Sequence, residues 1–388
     1  MNADDRIYER LRRHLDRQAI GFPASRKGSH LKILRHIFTP RQARLAAHLS
    51  DRYETARRIF ERAPHLAESP DDLARILDQI VARGGIEAKA QNGHRRYRNT
   101  PLVVGMYELQ IDRLTPQFIE DFHAYTGSLR FGLEFLSSDV PQMRTIPVAQ
   151  SIRPRHRAAT FDEMAILIEG AEGPFVILEC ICRKEKRLAG EPCRQTDRRE
   201  TCLGMGDIAQ TVLMGGRGRQ IDRNEALAII ETNQKEGLVL QPSNTAQAAF
   251  VCSCCGCCCG MLRMHRRLPR PVDFWSSNFF AVVDAAVCNG CGLCERRCQV
   301  GAVTVRGEDA LARVDLNRCL GCGQCVAVCP RKAVALEKKP LEVQPPSTRQ
   351  ELLALLKDRR KGVLGKTALV GKLFLDTLRT GNLSLIRR

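Results

Sequence analysis

The spacing of apolar residues over the first hundred positions predicts a series of helices followed by a hairpin. Residues 31–38 carry Leu, Leu, Ile and Phe at helical intervals, which indicates an amphipathic helix. Further helices are predicted to start at Thr39, near Thr55 and at Ser69, where proline and two acids follow the serine, as is typical of a helix N-terminus. Residues 86–98 then form two short strands around Asn92 and Gly93, a dipeptide that favours a tight hairpin turn.

Helices followed by such a hairpin resemble a winged helix-turn-helix, and the resemblance covers roughly residues 28–105. It implies that residues 71–83 are the recognition helix. It also implies a basic wing made of His94, Arg95, Arg96 and Arg98. The predicted helix presents Asp71, Asp72 and Asp78, carboxylates that repel phosphate. We therefore expect residues 1–105 to dock a protein partner, with a redox-sensing DNA-binding regulator as the alternative.

The remaining pattern predicts an α+β protein with several domains. Residues 106–145 are expected to be a helical connector and residues 146–267 a cysteine-rich domain of mixed α/β structure. In that middle domain, helices are predicted at 161–170 and 225–236, and strands at 173–179 and 238–240. Residues 281–340 form a separate small module, and residues 347–388 form a basic helical tail.

Cysteine usage changes this picture more than any other feature of the composition. The chain has 18 cysteines, and none of them precedes Cys180. The N-terminal residues lack the apolar stretch of a secretion signal, and no apolar run is long enough to span a membrane. We therefore expect a cytoplasmic protein whose thiolates bind metal, since disulfides are rare in a reducing compartment.

Two cysteine runs in the last third of the chain share one spacing. Cys288, Cys291, Cys294 and Cys298 follow the pattern C-x2-C-x2-C-x3-C, which Cys319, Cys322, Cys325 and Cys329 repeat before Pro330. This doubled run, with Gly290 and Gly321 at matching places, resembles the bacterial two-cluster [4Fe–4S] ferredoxins. Zinc sites also use C-x2-C pairs, but usually with two cysteines in each knuckle.

The resemblance implies an exchange of ligands between the two runs. One [4Fe–4S] cluster would be held by Cys288, Cys291, Cys294 and Cys329, and the other by Cys319, Cys322, Cys325 and Cys298. Gly290, Gly292, Gly321 and Gly323 would let the backbone approach each cluster and direct N–H groups at sulfur. Gln299 departs from the family pattern, because it stands where the first run would have the counterpart of Pro330. The departure removes no ligand.

The other ten cysteines indicate an additional metal centre in the middle domain, either iron–sulfur or zinc. Four of them follow a predicted strand at irregular intervals: Cys180, Cys182, Cys193 and Cys202. Six more crowd into residues 252–259: Cys252, Cys254, Cys255, Cys257, Cys258 and Cys259. The second group can complete the centre begun by the first or form a reactive dithiol. The sequence leaves the individual ligands open.

These features predict an iron–sulfur protein that transfers single electrons to or from a redox partner protein. The alternatives are the DNA-binding regulator and an oxidoreductase whose reaction centre is the middle domain. No catalytic residue is indicated. The net charge of +18 is compatible with nucleic acid, an anionic membrane or an acidic partner, and the basic tail is the expected place of peripheral membrane contact. The sequence does not indicate an oligomeric state.

Overall fold

The computed structural model of the chain describes residues 3–152, 162–307 and 310–382. It combines many helices with several small sheets. The helices are α1 (Ala3–Leu15), α2 (Ser29–Ile37), α3 (Pro40–Ala46), α4 (Ala56–Arg62), α5 (Pro70–Ala82), α6 (Pro116–Thr126), α7 (Leu129–Phe135), α8 (Met164–Glu169), α9 (Ile181–Leu188), α10 (Gly206–Met214), α11 (Arg223–Lys235), α12 (Gly260–Arg267), α13 (Leu293–Arg297), α14 (Gln324–Ala327), α15 (Arg349–Asp358) and α16 (Val363–Thr380). The strands are β1 (Glu54–Thr55), β2 (Ile86–Gln91), β3 (His94–Asn99), β4 (Phe175–Glu179), β5 (Glu200–Met205), β6 (Arg219–Ile221), β7 (Val239–Pro242), β8 (Phe250–Cys254), β9 (Phe279–Val283), β10 (Val303–Val305), β11 (Ala312–Val314) and β12 (Val334–Lys338).

The N-terminal part is a helical body with one small antiparallel sheet, in which β3 lies between β1 and β2. The predicted helix starts are confirmed, because the side chains of Thr39 and Ser69 accept backbone N–H groups at the N-termini of α3 and α5. The predicted hairpin is confirmed as β2 and β3, which turn at Asn92 and Gly93 with positive φ. The likeness to a winged helix stays a prediction.

A five-stranded antiparallel sheet of order β6-β4-β5-β8-β7 forms the centre of the cysteine-rich region. Strands β4 and β7 and helix α11 confirm the elements predicted at 173–179, 238–240 and 225–236. The helix predicted at 161–170 is shorter than expected, since α8 begins at Met164 with Glu163 as its N-cap; residue 161 lies outside the described residues. One face of the sheet buries Ile177, Leu203 and Val251.

Residues 279–340 contain the two cysteine runs that resemble those of ferredoxins, and we call them the ferredoxin-like region. This region has two antiparallel strand pairs, β9 with β12 and β10 with β11. The short helices α13 and α14 each begin after a glycine in left-handed conformation, Gly292 and Gly323. The two cysteine runs thus belong to two similar halves of the region. Phe279, Val303 and Val334 lie in the apolar core that these halves share.

Buried polar contacts join these parts of the chain. The hydroxyl of Thr211 on α10 accepts from the Ala88 N–H at 3.1 Å and donates to the Ala88 carbonyl at 2.7 Å, so α10 occupies the free edge of β2. Arg349 of the tail pairs with Glu87 of β2 at 2.5 Å. No helix among the described residues is long and apolar enough to cross a membrane.

Part of the positive charge of the tail is engaged within the chain. Arg360 and Lys366 both pair with Glu134 of α7, and Lys372 pairs with Asp273 at 2.5 Å. These cations therefore attach the tail to the body of the protein, and membrane contact by the tail stays a prediction.

Candidate metal centres

Four glycines shape the two cysteine loops of the ferredoxin-like region. Gly290, Gly292, Gly321 and Gly323 have φ of 68°, 73°, 64° and 71°, a conformation that a side chain disfavours. A Cβ at Gly290 would lie 2.2 Å from the Ala310 carbonyl oxygen, and one at Gly321 would lie 2.1 Å from that of Phe279. At both positions a side chain would therefore collide with the backbone of a neighbouring segment, whereas the expected approach of the backbone to a cluster stays a prediction.

The first predicted quartet lines a single small cavity. Cys288, Cys291 and Cys294 come from the first loop, and Cys329 reaches the same cavity from the second run. Cys291 is exposed, whereas Cys294 is buried. This arrangement can present four thiolates to one metal cluster with one edge open to solvent.

The second predicted quartet is more deeply enclosed. Cys319 and Cys325 are buried, and burial together with the thiols of Cys322, Cys319 and Cys298 raises the pKa of Cys325. Backbone N–H groups donate to two of the sulfurs, Ala302 to Cys298 at 3.2 Å and Ala281 to Cys319 at 3.4 Å.

The enclosure of the second quartet raises the proton affinity of its Cys322 thiol. Burial raises the pKa of the Cys322 thiol to about 12. A metal that binds there must displace a tightly held proton, and N–H donors of this kind stabilise the thiolate that remains.

A third group of four thiols is compact. The sulfur of Cys193 lies 3.6 Å from that of Cys255 and 3.7 Å from that of Cys257, and Cys257 lies 3.7 Å from Cys258. All four sulfurs lie within 4.8 Å of one another. A zinc–sulfur bond of about 2.3 Å separates tetrahedral thiolates by about 3.8 Å. These four residues, the thiol tetrad, therefore have the dimensions of a site for one tetrahedral ion.

The structure divides the additional centre predicted from Cys180, Cys182, Cys193 and Cys202. Cys193 lies in the tetrad, on the loop before β5, together with three cysteines of the 252–259 segment. The remaining three predicted ligands lie with Cys252, Cys254 and Cys259 around a cavity that Cys255 and Cys258 of the tetrad also line. The ten cysteines thus form two adjoining groups, a division that the irregular sequence intervals did not reveal.

Two side chains that the sequence analysis did not identify join the ferredoxin-like region to the domain of the five-stranded sheet, which we call the sheet domain. Gln299 follows Cys298 directly; its carboxamide oxygen accepts from the Gly256 N–H at 2.7 Å, and its nitrogen donates to Gln195 at 2.8 Å. Arg297 donates to the Lys235 carbonyl at 2.6 Å, at the end of α11. The absence of the family proline at position 299 was the only sequence signal for this contact.

The side chains proposed for a DNA-binding wing are partly used inside the protein. Arg98 is buried, 2% exposed, and pairs with Glu87 at 2.7 Å. Arg95 pairs with Asp78 of α5 at 2.5 Å. The C-terminal end of α5 is also occupied, because Arg217 donates to the carbonyls of Val81 and Ala82.

Comparison with known families agrees with the geometry of the two cysteine loops. Residues 280–330 match the family described as "4Fe-4S dicluster domain", which makes this region an iron–sulfur binding domain with the role in electron transfer that such a domain suggests. The match covers only a small part of the chain. No curated protein and no solved structure matches the chain.

Proposed function

We propose that the chain transfers single electrons through two [4Fe–4S] clusters held in residues 281–340. The observation that carries the proposal is the quartet Cys288, Cys291, Cys294 and Cys329, which comes from both runs and lines one cavity inside the region that matches the dicluster family. Cys298, Cys319, Cys322 and Cys325 would hold the second cluster. A thiolate-bound cluster of this kind exchanges single electrons.

The residues around the quartets fit this role. The glycines with positive φ keep Cβ atoms away from the loops, and N–H donors to Cys298 and Cys319 stabilise thiolate charge. Cys291 is the exposed ligand, so we infer that a redox partner docks over the first quartet. Cluster potential depends on such burial and hydrogen bonding.

We further propose that the thiol tetrad binds one zinc ion. Three of its sulfur separations are 3.6–3.7 Å and all lie within 4.8 Å, which suits a single tetrahedral ion, and zinc commonly occupies closed sites of four cysteines. The ion would tie the loop of Cys193 to the 255–258 segment, beside Gln299 of the ferredoxin-like region.

Two facts favour electron transfer over the DNA-binding alternative. Arg98 and Arg95 of the expected wing are neutralised by Glu87 and Asp78, which reduces the charge available for phosphate. Helix α10 covers the free edge of β2. These contacts engage the hairpin within the chain, and docking of a protein partner by residues 1–105 stays a prediction.

The test is anaerobic purification of the full chain followed by iron and sulfide analysis and EPR of the dithionite-reduced protein. The Cys291→Ala variant is expected to lose about four irons and one cubane signal. Leu293→Ala, on the same loop but not a ligand, is the matched control and should retain both. A colourless wild-type protein without sulfide, or unchanged iron in Cys291→Ala, would overturn the proposal.

A further inference from the structure

Six cysteines come together at one end of the central sheet, and neither the ferredoxin-like quartets nor the tetrad uses them. Cys252 and Cys254 alternate with Ser253 on β8 and so point to one face of the sheet. Cys202 lies on the adjacent strand β5, where the pairing of Leu203 with Val251 brings it beside Cys252. Cys180 and Cys182 stand at the start of α9, and Cys259 is the N-cap of α12.

Each of these thiols has two of the others as its interacting neighbours, so the six form a ring. Cys180 neighbours Cys182 and Cys202. Cys252 neighbours Cys202 and Cys254. Cys259 neighbours Cys254 and Cys182. We call this set the six-thiol ring. All six of its members line one cavity of 130 Å³, which Cys255 and Cys258 of the tetrad also line.

The ring is wider than a site for one ion. Among the described residues, the tetrad is the one group of three or more potential ligands whose atoms all lie within 4.8 Å of one another. The six-thiol ring makes contacts between neighbours but contains no such compact trio. A single ion would therefore reach only part of the ring, whereas a polynuclear cluster with bridging atoms would fill the space between the sulfurs.

A buried cation beside the ring lacks a full set of partners. Arg183 is 4% exposed. It donates to the Thr201 hydroxyl and, at 2.8 Å, to the Ser253 carbonyl, but its Nε has no hydrogen-bond partner. Both hydrogen-bond partners adjoin ring members, because Thr201 precedes Cys202 and Ser253 lies between Cys252 and Cys254. A buried guanidinium is costly without an anion, and metal-bound thiolates would supply that charge.

The wall of the cavity also contains a strained turn. Val104 has φ of 57° and ψ of 55°, which is unusual for a β-branched residue. The adjacent Gly105 N–H donates to Glu108 at 2.7 Å, and all three residues line the cavity. Such strain persists where the surroundings demand it, often at binding sites.

We propose that the six-thiol ring holds a polynuclear iron–sulfur cluster, distinct from the two clusters of the ferredoxin-like region. Soft thiolate ligands select iron–sulfur clusters, zinc or copper(I). Iron–sulfur is favoured because the ring needs bridging atoms at its centre, which inorganic sulfide provides, and because the same chain carries an iron–sulfur domain.

The experiment uses the full chain, reconstituted anaerobically with iron and sulfide. Wild-type protein is expected to bind at least about four irons beyond the eight of two cubanes. The double variant Cys202→Ser/Cys252→Ser should lose this excess and keep the dicluster EPR signals. Cys193→Ser, outside the ring, is the matched control and should keep the excess. Cys291→Ala should lose about four irons from the dicluster but keep the excess, which separates failure of this proposal from failure of the electron-transfer proposal.

A second measurement needs no variant. Alkylation of the wild-type protein, mapped by mass spectrometry, should leave the ring thiols unmodified until a chelator strips the iron. Iron at eight or fewer per reconstituted chain, or zinc or copper in the ring, would overturn the proposal.

Discussion

The carboxamide oxygen of Gln299 accepts a hydrogen bond from the backbone N–H of Gly256 at 2.7 Å, between two cysteines of the thiol tetrad. Both residues are buried. Gln299 replaces the proline that the second run has at Pro330, and a proline would offer no side-chain acceptor. The departure from the ferredoxin pattern therefore has a physical explanation, since this position attaches the ferredoxin-like region to the sheet domain.

Replacing Gln299 by proline is predicted to weaken this attachment without loss of iron. The Gly256 N–H would lose its buried acceptor, at a cost of about 1–3 kcal/mol, so its amide exchange should accelerate about tenfold or more. Hydrogen–deuterium exchange with parallel iron analysis measures both effects. The reciprocal variant Pro330→Gln, at an exposed position, is the control and should leave exchange unchanged; equal exchange at Gly256 in all three proteins would contradict the prediction.

Gly256 is predicted to tolerate no side chain. A Cβ there would lie 2.2 Å from the Gln299 carbonyl oxygen, so Gly256→Ala must displace backbone and should destabilise the protein by about 2 kcal/mol. Thermal unfolding under anaerobic conditions measures the loss. Gly260→Ala is the control, because no atom lies within 4 Å of its Cβ and alanine favours the helix that begins there. A Gly256→Ala protein as stable as the control would argue against the close contact.

The tetrad is predicted to contain zinc in a one-to-one ratio with the chain. Cys193→Ser should lose that zinc and keep its iron, because one ligand of a four-thiolate site is replaced. Elemental analysis of both metals provides the measurement, with the exposed neighbour Arg194→Ala as control. Loss of about four irons in place of one zinc would instead indicate a cubane in the tetrad.

Glu87 is predicted to hold the hairpin and the tail together through its charge. Burial acts to raise the pKa of Glu87, but Arg349 and Arg98 outweigh burial and hold it well below its usual value of 4.5. In Glu87→Gln both guanidiniums lose their counter-charge, at a cost of about 3 kcal/mol. Amide exchange in the hairpin and α15 should therefore accelerate about 100-fold.

The effect of Glu87→Gln on amide exchange should depend on pH in a definite direction. Because the pKa of Glu87 is lowered in the folded protein, its stabilisation is complete above pH 4.5 and disappears as pH falls through the folded value. The difference in amide exchange between wild type and Glu87→Gln, after correction for intrinsic exchange, should stay constant from pH 5 to pH 8. The exposed Glu61→Gln is the control. A difference that grows as the pH falls would contradict the role of the carboxylate.

Local patterns in the chain were sufficient to predict the helix starts, the hairpin and the two cysteine loops. The N-caps Thr39 and Ser69 and the turn at Asn92 and Gly93 act over a few residues, so their outcome depends little on the rest of the fold. The eight cysteines of the ferredoxin-like region could likewise be identified as candidate ligands from the sequence. Each run places three ligands within seven positions, and this spacing is characteristic of one cofactor class.

Tertiary structure alone decided how the other ten cysteines are grouped. Pairing of β5 with β8 places Cys202 beside Cys252, and the loop before β5 carries Cys193 away from its sequence neighbours to Cys255 and Cys257. The same holds for Gln299 and Arg98, whose partners become neighbours only when separate parts of the chain pack together. Sequence spacing does not encode such contacts, because strand register and domain packing bring together residues that lie far apart in the chain.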